Sequence, residues 1–270
     1  MISGLTLGTL GAISTDAWPL AWLLIEINLM SFIPLISKKW TAKKNTLLYF
    51  IAQRLGSLSL FAGGVLGDEQ TMPTKCILLG LMLKTRMAPL HFWGAVVISS
   101  LIPLYALVFL TWQKIVPLCL LFITVNKYLL FWVVVVNILV GSFCVIGSKD
   151  ILILIFFSGL IHIGWILAGR FILAMKYLIF YSISTAPIVL SFGNLPLLLM
   201  NIAGLPPITG FLIKMRMLQL TDTRMGLFLL LTSSFPLFTY LRYYLIKPYN
   251  WRKIERSTFV VCSVGLIFYR

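Results

Sequence analysis

The side chains able to do chemistry are few, and they stand where charge is costly. Glu26 is the only charged residue from Ala17 to Ser37, and Lys114 is the only one from Met87 to Val125. Arg54 lies near the middle of the run Asn45 to Gly67, and Lys214 closes an uncharged stretch from Tyr177 to Ile213. His162 falls within Ser158-Gly159-Leu160-Ile161-His162-Ile163-Gly164-Trp165, and Lys84 closes Thr74 to Leu83. A carboxylate, several lysines and a histidine in apolar surroundings form a set that exchanges protons. Ionisable groups at mid-membrane depth cost on the order of a few kcal/mol unless paired, hydrated or neutralised, and mark function by default.

Each residue has a second reading. Glu26 is also compatible with a neutral carboxyl hydrogen-bonded to a neighbouring helix; Asn28 points to a different helical face and is not its obvious partner. Lys84 and Arg86 read equally well as interfacial anchors. Arg54 needs a carboxylate such as Glu26, a residue of another subunit or a lipid headgroup. Lys114 as a snorkelling side chain is the weaker alternative, because it lies more than a turn from either end of its run. His162 suits a proton relay or a satisfied polar group equally, and His91 titrates near neutrality or rests as a hydrogen-bonded ring. The two histidines have no acidic or cysteine neighbour at helical spacing, so they make no metal site. No nucleotide fingerprint, P-loop lysine or haem-type histidine pair occurs.

Prolines near two of the lysines matter as much as the charges. Pro117 cannot donate to the carbonyl four residues back, which leaves the Gln113 carbonyl open beside Lys114. In Asn201-Ile202-Ala203-Gly204-Leu205-Pro206-Pro207-Ile208-Thr209-Gly210-Phe211, Pro206 and Pro207 would leave the carbonyls of Ile202 and Ala203 unpaired, while Gly204 and Gly210 let neighbouring backbone approach. Broken helices with free carbonyls beside a titratable group are how membrane transporters build ion sites.

The elements that must position these groups are membrane helices. Of 270 residues, 60% are hydrophobic and 11% charged, with mean hydropathy +1.01; soluble domains average about 45–50% and 25%. A soluble fold is excluded. The net charge of +15 would suit a nucleic-acid partner, but the basic residues punctuate apolar runs and read as membrane flanks, so no nucleic acid is expected. A span needs roughly 20 apolar residues. Cutting at charges and Gly/Pro clusters predicts an all-α, polytopic membrane protein of about ten or eleven helices. These are a short run to Leu10, then Ala17 to Ser37, Asn45 to Leu66, Thr74 to Thr85, Leu101 to Val125, Tyr128 to Gly147, Ile151 to Gly169, Phe171 to Phe192, Asn194 to Gln219, Met225 to Arg242 and Ser257 to Tyr269. As one helix, Tyr177 to Ile213 would reach about 55 Å, so a break is expected near Gly193-Asn194 or at Pro196.

No connection is long enough for a soluble domain, which predicts a single transmembrane domain over residues 1–270. Lys38, Lys39, Lys43 and Lys44 place their loop on the side of synthesis, with Asp68-Glu69 on the other. The uncharged segment Met1 to Thr15 has neither a secretory basic region nor an Arg-rich presequence face; insertion at the site of synthesis or an internal address is expected. Cys76, Cys119, Cys144 and Cys262 read as small hydrophobes.

These strings resemble the NADH-ubiquinone oxidoreductase chain 2 family, antiporter-like subunits of the complex I membrane arm. The resemblance rests on Ile25-Glu26-Ile27-Asn28-Leu29, Ala88-Pro89-Leu90-His91-Phe92-Trp93, Thr111-Trp112-Gln113-Lys114-Ile115-Val116-Pro117, Ser158 to Trp165 and Gly204 to Phe211, in order from about residue 17 to 215. It implies an antiporter-like core over about 17–220 with two discontinuous helices, and less recognisable helices over 221–270. It also implies a midplane line of proton-translocating residues: Glu26, Lys84, Lys114, His162 and Lys214. His91, Arg54 and Gln113 take supporting or interfacial places. Arg54 and Leu48 depart from the family pattern, and the chain is shorter than most relatives.

The resemblance further implies a proton-translocating role in the mitochondrial inner membrane. NADH, FMN, iron–sulfur clusters and ubiquinone would belong to partner subunits, and none to this chain. Bound phospholipid such as cardiolipin, and neighbouring antiporter-like and small membrane-arm subunits, are the expected partners. Glu26 with Lys84 is expected to form a charge pair tuning Lys114, with Lys214 passing the proton on. A stand-alone cation/proton antiporter and a structural subunit that pumps nothing are the alternatives.

Overall fold

In runs this apolar the backbone finds few partners outside itself, so helices are the economical way to satisfy it. The computed structural model describes residues 2–15, 17–37, 43–65, 72–190, 195–206 and 208–246, and every regular element among them is helical. In order they are α1 (Ile2–Ser14), α2 (Trp18–Ile36), α3 (Lys43–Val65), α4 (Met72–Thr85), α5 (Phe92–Ser99), α6 (Pro103–Leu110), a 3-10 turn (Trp112–Lys114) and α7 (Ile115–Thr124). There follow α8 (Lys127–Gly147), α9 (Ile151–Ala168), α10 (Phe171–Val189), α11 (Leu195–Ala203), α12 (Thr209–Leu220) and α13 (Thr223–Ile246).

The chain divides into two compact units, at Leu129 and Leu130. In the first, α1 packs on α2, α2 on α3, and α3 along α4, while α7 lies against α1 and α4. In the second, α9 packs on α10 and α13, and α11 meets α10, α12 and α13.

Six described helical stretches are long and apolar enough to cross a membrane: Trp18–Ile36, the interrupted Pro103–Thr124, Lys127–Gly147, Ile151–Ala168, Phe171–Val189 and Thr223–Arg242. The other runs expected as spans are short, interrupted or more polar. α1 has 13 residues, α4 has 14, and α3 has 23 but carries Lys43, Lys44, Gln53 and Arg54. The polarity is inverted relative to a water-soluble protein. Leu55, Leu58, Ile123, Phe143 and Ile172 face outward, whereas Glu26, Lys84, Lys114, His162 and Lys214 are buried.

Two of the predicted runs carry the interruptions expected at their prolines, and one short helix is additional to the sequence reading. Leu101 to Val125 is not one helix but α6, the 3-10 turn and α7. The reason is Pro117, which fits the first turn of α7, where its missing N–H goes unneeded, and could not follow Gln113 in a continuous helix. Asn194 to Gln219 is likewise divided, into α11 and α12, around Gly204 and Pro206. An additional short helix, α5, follows the Ala88-Pro89 turn. Pro207, the loop charges Lys38, Lys39, Asp68 and Glu69, the Gly193-Asn194 dipeptide, Cys262 and the Ser257 to Tyr269 run lie outside the described residues.

Candidate functional site

In the N-terminal unit the site begins with a close helix crossing. A Cβ on Gly80 would lie 2.7 Å from the Gly56 carbonyl oxygen, and one on Gly56 would lie 3.1 Å from that of Gly80. Small residues allow two backbones to come this near. The crossing sets Ser57 of α3 against Lys84 in the last turn of α4, and Lys84 Nζ donates to Ser57 Oγ at 2.6 Å. Ser57 donates to the Gln53 carbonyl at 3.0 Å, and Gln53 Nε2 donates back to the Lys84 carbonyl at 3.4 Å. Trp22 Nε1 donates to the Ser57 carbonyl at 3.0 Å, tying α2 to the same point. Lys84 is therefore a buried member of a hydrogen-bonded circuit, and the interfacial-anchor reading falls.

Glu26 has a different partner from the one expected. Its carboxylate lies 2.7 Å from Arg54 Nη1, so the direct ion pair is Glu26–Arg54 and not Glu26–Lys84. Of the partners open to Arg54 on sequence grounds, the carboxylate of α2 is the one it meets. The charges of both Glu26 and Arg54 still act on Lys84. Arg54 also stacks 5.2 Å from the Phe50 ring, and an open cavity of about 520 Å³ adjoins the pair, lined by Leu23, Ile27, Met30, Ser31 and Pro34.

Lys114 occupies the last position of the 3-10 turn, where its N–H reaches the Thr111 carbonyl at 3.2 Å, and its side chain is buried. The neighbouring Gln113 donates through Nε2 to Asn28 Oδ1 at 3.3 Å, which binds the break to α2. Asn28 is thus partner to Gln113, two positions from Glu26 on the same helix. His91 precedes α5, fully buried, with its ring 4.2 Å from that of Phe92 and a hydrogen bond to the Pro89 backbone.

Sequence reasoning missed the importance of Arg86. It is 1% exposed, and its Nη1 donates to the Phe109 carbonyl at 2.7 Å. The only signal available was its place just past the end of an apolar run before Ala88-Pro89, which an anchor would share.

The C-terminal unit builds a second lysine site on the α11–α12 break. Gly204 has φ +79°, the left-handed conformation that glycine adopts without steric cost. The amides of Leu205 and Gly204 bond the carbonyls of Met200 and Asn201, closing α11 as a Schellman cap. Asn201 Oδ1 accepts from Gly210 N at 3.0 Å and from Thr209 Oγ1 at 3.1 Å, so α11 supplies the cap for the start of α12. Gly210 is required there, since a Cβ would run into the Asn201 carbonyl oxygen. Lys214, one turn along α12, reaches back and donates to the Ala203 carbonyl at 2.5 Å, one of the two carbonyls expected to be freed by the prolines. Its Nζ also lies 5.4 Å from the Trp165 ring. Trp165 is three residues from His162 on α9, and His162 Nδ1 lies 2.8 Å from Tyr177 Oη, with the Tyr181 ring 4.9 Å away.

Chemically, each unit presents a buried amine held by a neutral oxygen acceptor at a helix end or break, Lys84 on Ser57 and Lys214 on Ala203, an arrangement suited to taking up and releasing protons. Among the described residues no group of three His, Cys, Asp or Glu side chains could hold a metal ion.

Residues 65–198 match the family model described as the transmembrane region of NADH:quinone oxidoreductase and Mrp antiporters. The chain is 32% identical to NADH-ubiquinone oxidoreductase chain 2 of Anopheles gambiae, over 98% of this chain and 91% of the relative. It is 31% identical to the chain of the same name from Aedes aegypti, over 90% and 82% of the two chains. Among solved structures, respiratory complex I of Thermus thermophilus contains a chain superposing with TM-score 0.80 at 19% identity, over 98% of this chain and 75% of that one. The Mrp complex of a Dietzia species gives TM-score 0.79 at 19% identity, over 89% and 58% of the two chains. At these identities the structural matches establish a shared fold.

Proposed function

The chain belongs to the NADH-ubiquinone oxidoreductase chain 2 family, and from that premise we propose that it translocates protons as a multi-pass, antiporter-like subunit in the membrane arm of mitochondrial complex I. The observation that carries the reading is that Lys114 and Lys214 each lie buried at the discontinuity of a broken helix, with Lys214 bound to a carbonyl from the helix preceding its break. Such a carbonyl can take the amine's hydrogen bond without carrying a charge of its own, so the lysine can gain or lose a proton in place.

Glu26, Arg54, Lys84 and Lys114 form the proton-handling group of the N-terminal unit, and His162 and Lys214 that of the C-terminal unit. A carboxylate near an amine favours its charged form, and burial disfavours it. Shifting Glu26 between Arg54 and the field of Lys84 therefore changes how readily the N-terminal lysines hold protons, which couples the subunit to events elsewhere in the complex. The redox groups, NADH, FMN, iron–sulfur clusters and ubiquinone, reside on partner subunits, and phospholipid fills the outer face in the inner membrane. Both units of the chain serve this one transmembrane function.

The test is Lys114→Met in the assembled complex, reading protons pumped per NADH oxidised and the rate of coupled turnover. Coupled turnover should fall sharply with assembly intact. Unchanged pumping stoichiometry and rate would overturn the assignment and favour a structural subunit. Ion exchange by the purified chain alone, reconstituted in vesicles, would instead identify a stand-alone antiporter.

A further inference from the structure

Arg86 is one of the most deeply buried charged side chains among the described residues, and the proton-handling group does not account for it. Its backbone is in the left-handed region, with φ +61°, at the position that closes α4. The Arg86 amide bonds the Leu83 carbonyl and the Met87 amide bonds that of Met82, the same Schellman pattern that Gly204 completes on α11. Glycine fits this position without strain, whereas a side chain is held in it against a steric cost. The side chain here is long, charged and fully enclosed, so its own contacts must offset that cost.

Those contacts converge on the break that carries Lys114. Nη1 donates to the carbonyl of Phe109, in the last turn of α6, where a continuous helix would have used the N–H of Gln113. The guanidinium carbon also lies 3.9 Å over the Phe109 ring. Phe109 is in turn wedged among Phe32, Tyr49 and Trp93, with centroid separations of 6.2–6.4 Å. Arg86 thus grips both the backbone and the side chain of one residue in the last turn before the break. Its charge also acts on Lys114.

We propose that Arg86 is a positioning residue for Lys114: a guanidinium clamp, anchored at the end of α4, that caps the open carbonyl of α6 and so holds the interrupted helix in the form that places Lys114 in its 3-10 turn. This rests on the reading that Lys114 carries protons. Arginine suits the task because its fork donates to the carbonyl while its plane stacks on the ring.

The experiment compares Arg86→Gly, Arg86→Lys and Lys114→Met in the assembled complex, measuring its amount and NADH-driven proton transport per complex. Arg86→Gly removes the clamp and relieves the backbone, so the complex should assemble at parental levels. Its transport should fall about tenfold, the size of one lost charge-assisted hydrogen bond. Arg86→Lys keeps a cationic donor within reach of the carbonyl and should recover transport to within about threefold of the parent. Parental transport in Arg86→Gly overturns the clamp, as does failure of Arg86→Lys to recover it or loss of assembly in Arg86→Gly. Lys114→Met separates the two levels: full transport in that variant sinks the proton-carrying role, whereas its loss beside normal transport in Arg86→Gly sinks the clamp alone.

Discussion

Replacing Gly204 by alanine adds a single methyl group that titrates nothing, yet it should disable a lysine on the far side of the break, in the second turn of α12. A Cβ at this position would lie 2.8 Å from Lys214 Cδ and 3.2 Å from both Cε and Nζ. The clash meets a flexible side chain, so the cheapest response is for Lys214 to swing aside and leave the Ala203 carbonyl it now binds. Losing that hydrogen bond costs about 0.5–3 kcal/mol, depending on whether the amine is neutral or charged. In proton transport this corresponds to roughly 2-fold to 150-fold, centred near tenfold. A separate cost of roughly 1–2 kcal/mol arises because alanine must adopt the left-handed backbone, and it falls on stability. The assay is NADH-driven acidification of vesicles containing the assembled complex, normalised to its amount on native gels. Gly204→Asn separates the two effects, since asparagine tolerates the left-handed conformation but carries the same Cβ. It should assemble better than Gly204→Ala and pump equally poorly. Gly147→Ala is the control, because a Cβ there meets nothing within 4 Å. Parental pumping in Gly204→Ala, or recovery in Gly204→Asn, would refute the placement of Lys214 as the affected group.

Further outcomes follow from the N-terminal unit. Ser57→Ala removes the acceptor of Lys84 Nζ at about 1–3 kcal/mol; coupled turnover should drop while assembly holds, and Ser57→Thr, which keeps a hydroxyl, should retain most of it. Gly80→Val forces the α3–α4 crossing apart, an overpacking cost of about 1–3 kcal/mol, so the amount of intact complex on native gels should fall; a normal amount would show that the crossing is not tight. Arg54→Gln breaks the ion pair with Glu26. Because Arg54 is about one-third exposed (35%), little assembly should be lost, while the ratio of protons pumped to NADH oxidised should change; an unaltered ratio would remove Arg54 from the proton-handling group.

Much of the candidate site was legible because its signals are local. An acid or lysine inside a long apolar run is visible one residue at a time, and so is a proline that cannot donate its N–H. Lys114 and Lys214 were found in this way, and the Ala203 carbonyl was expected to be open, but that Lys214 binds it is given only by the folded structure. Lys84 was legible only through the family resemblance, since an interfacial anchor looks the same from position alone. Arg86 shared that ambiguity and was not resolved by the resemblance. Its importance lies in a backbone angle and in a carbonyl some twenty residues away, neither of which residue type or spacing encodes.

The amino-acid sequence by itself determined a helical membrane protein with its ionisable groups turned inward and two of its helices interrupted at lysines, because hydrophobicity and proline geometry act within a single segment. Only the tertiary structure decided the pairings. Glu26 meets Arg54, Lys84 meets Ser57, and Arg86 meets the Phe109 carbonyl, since each depends on which helical faces cross and how closely. At Gly56 and Gly80 the absence of two side chains sets that distance, and with it the acceptor that holds Lys84.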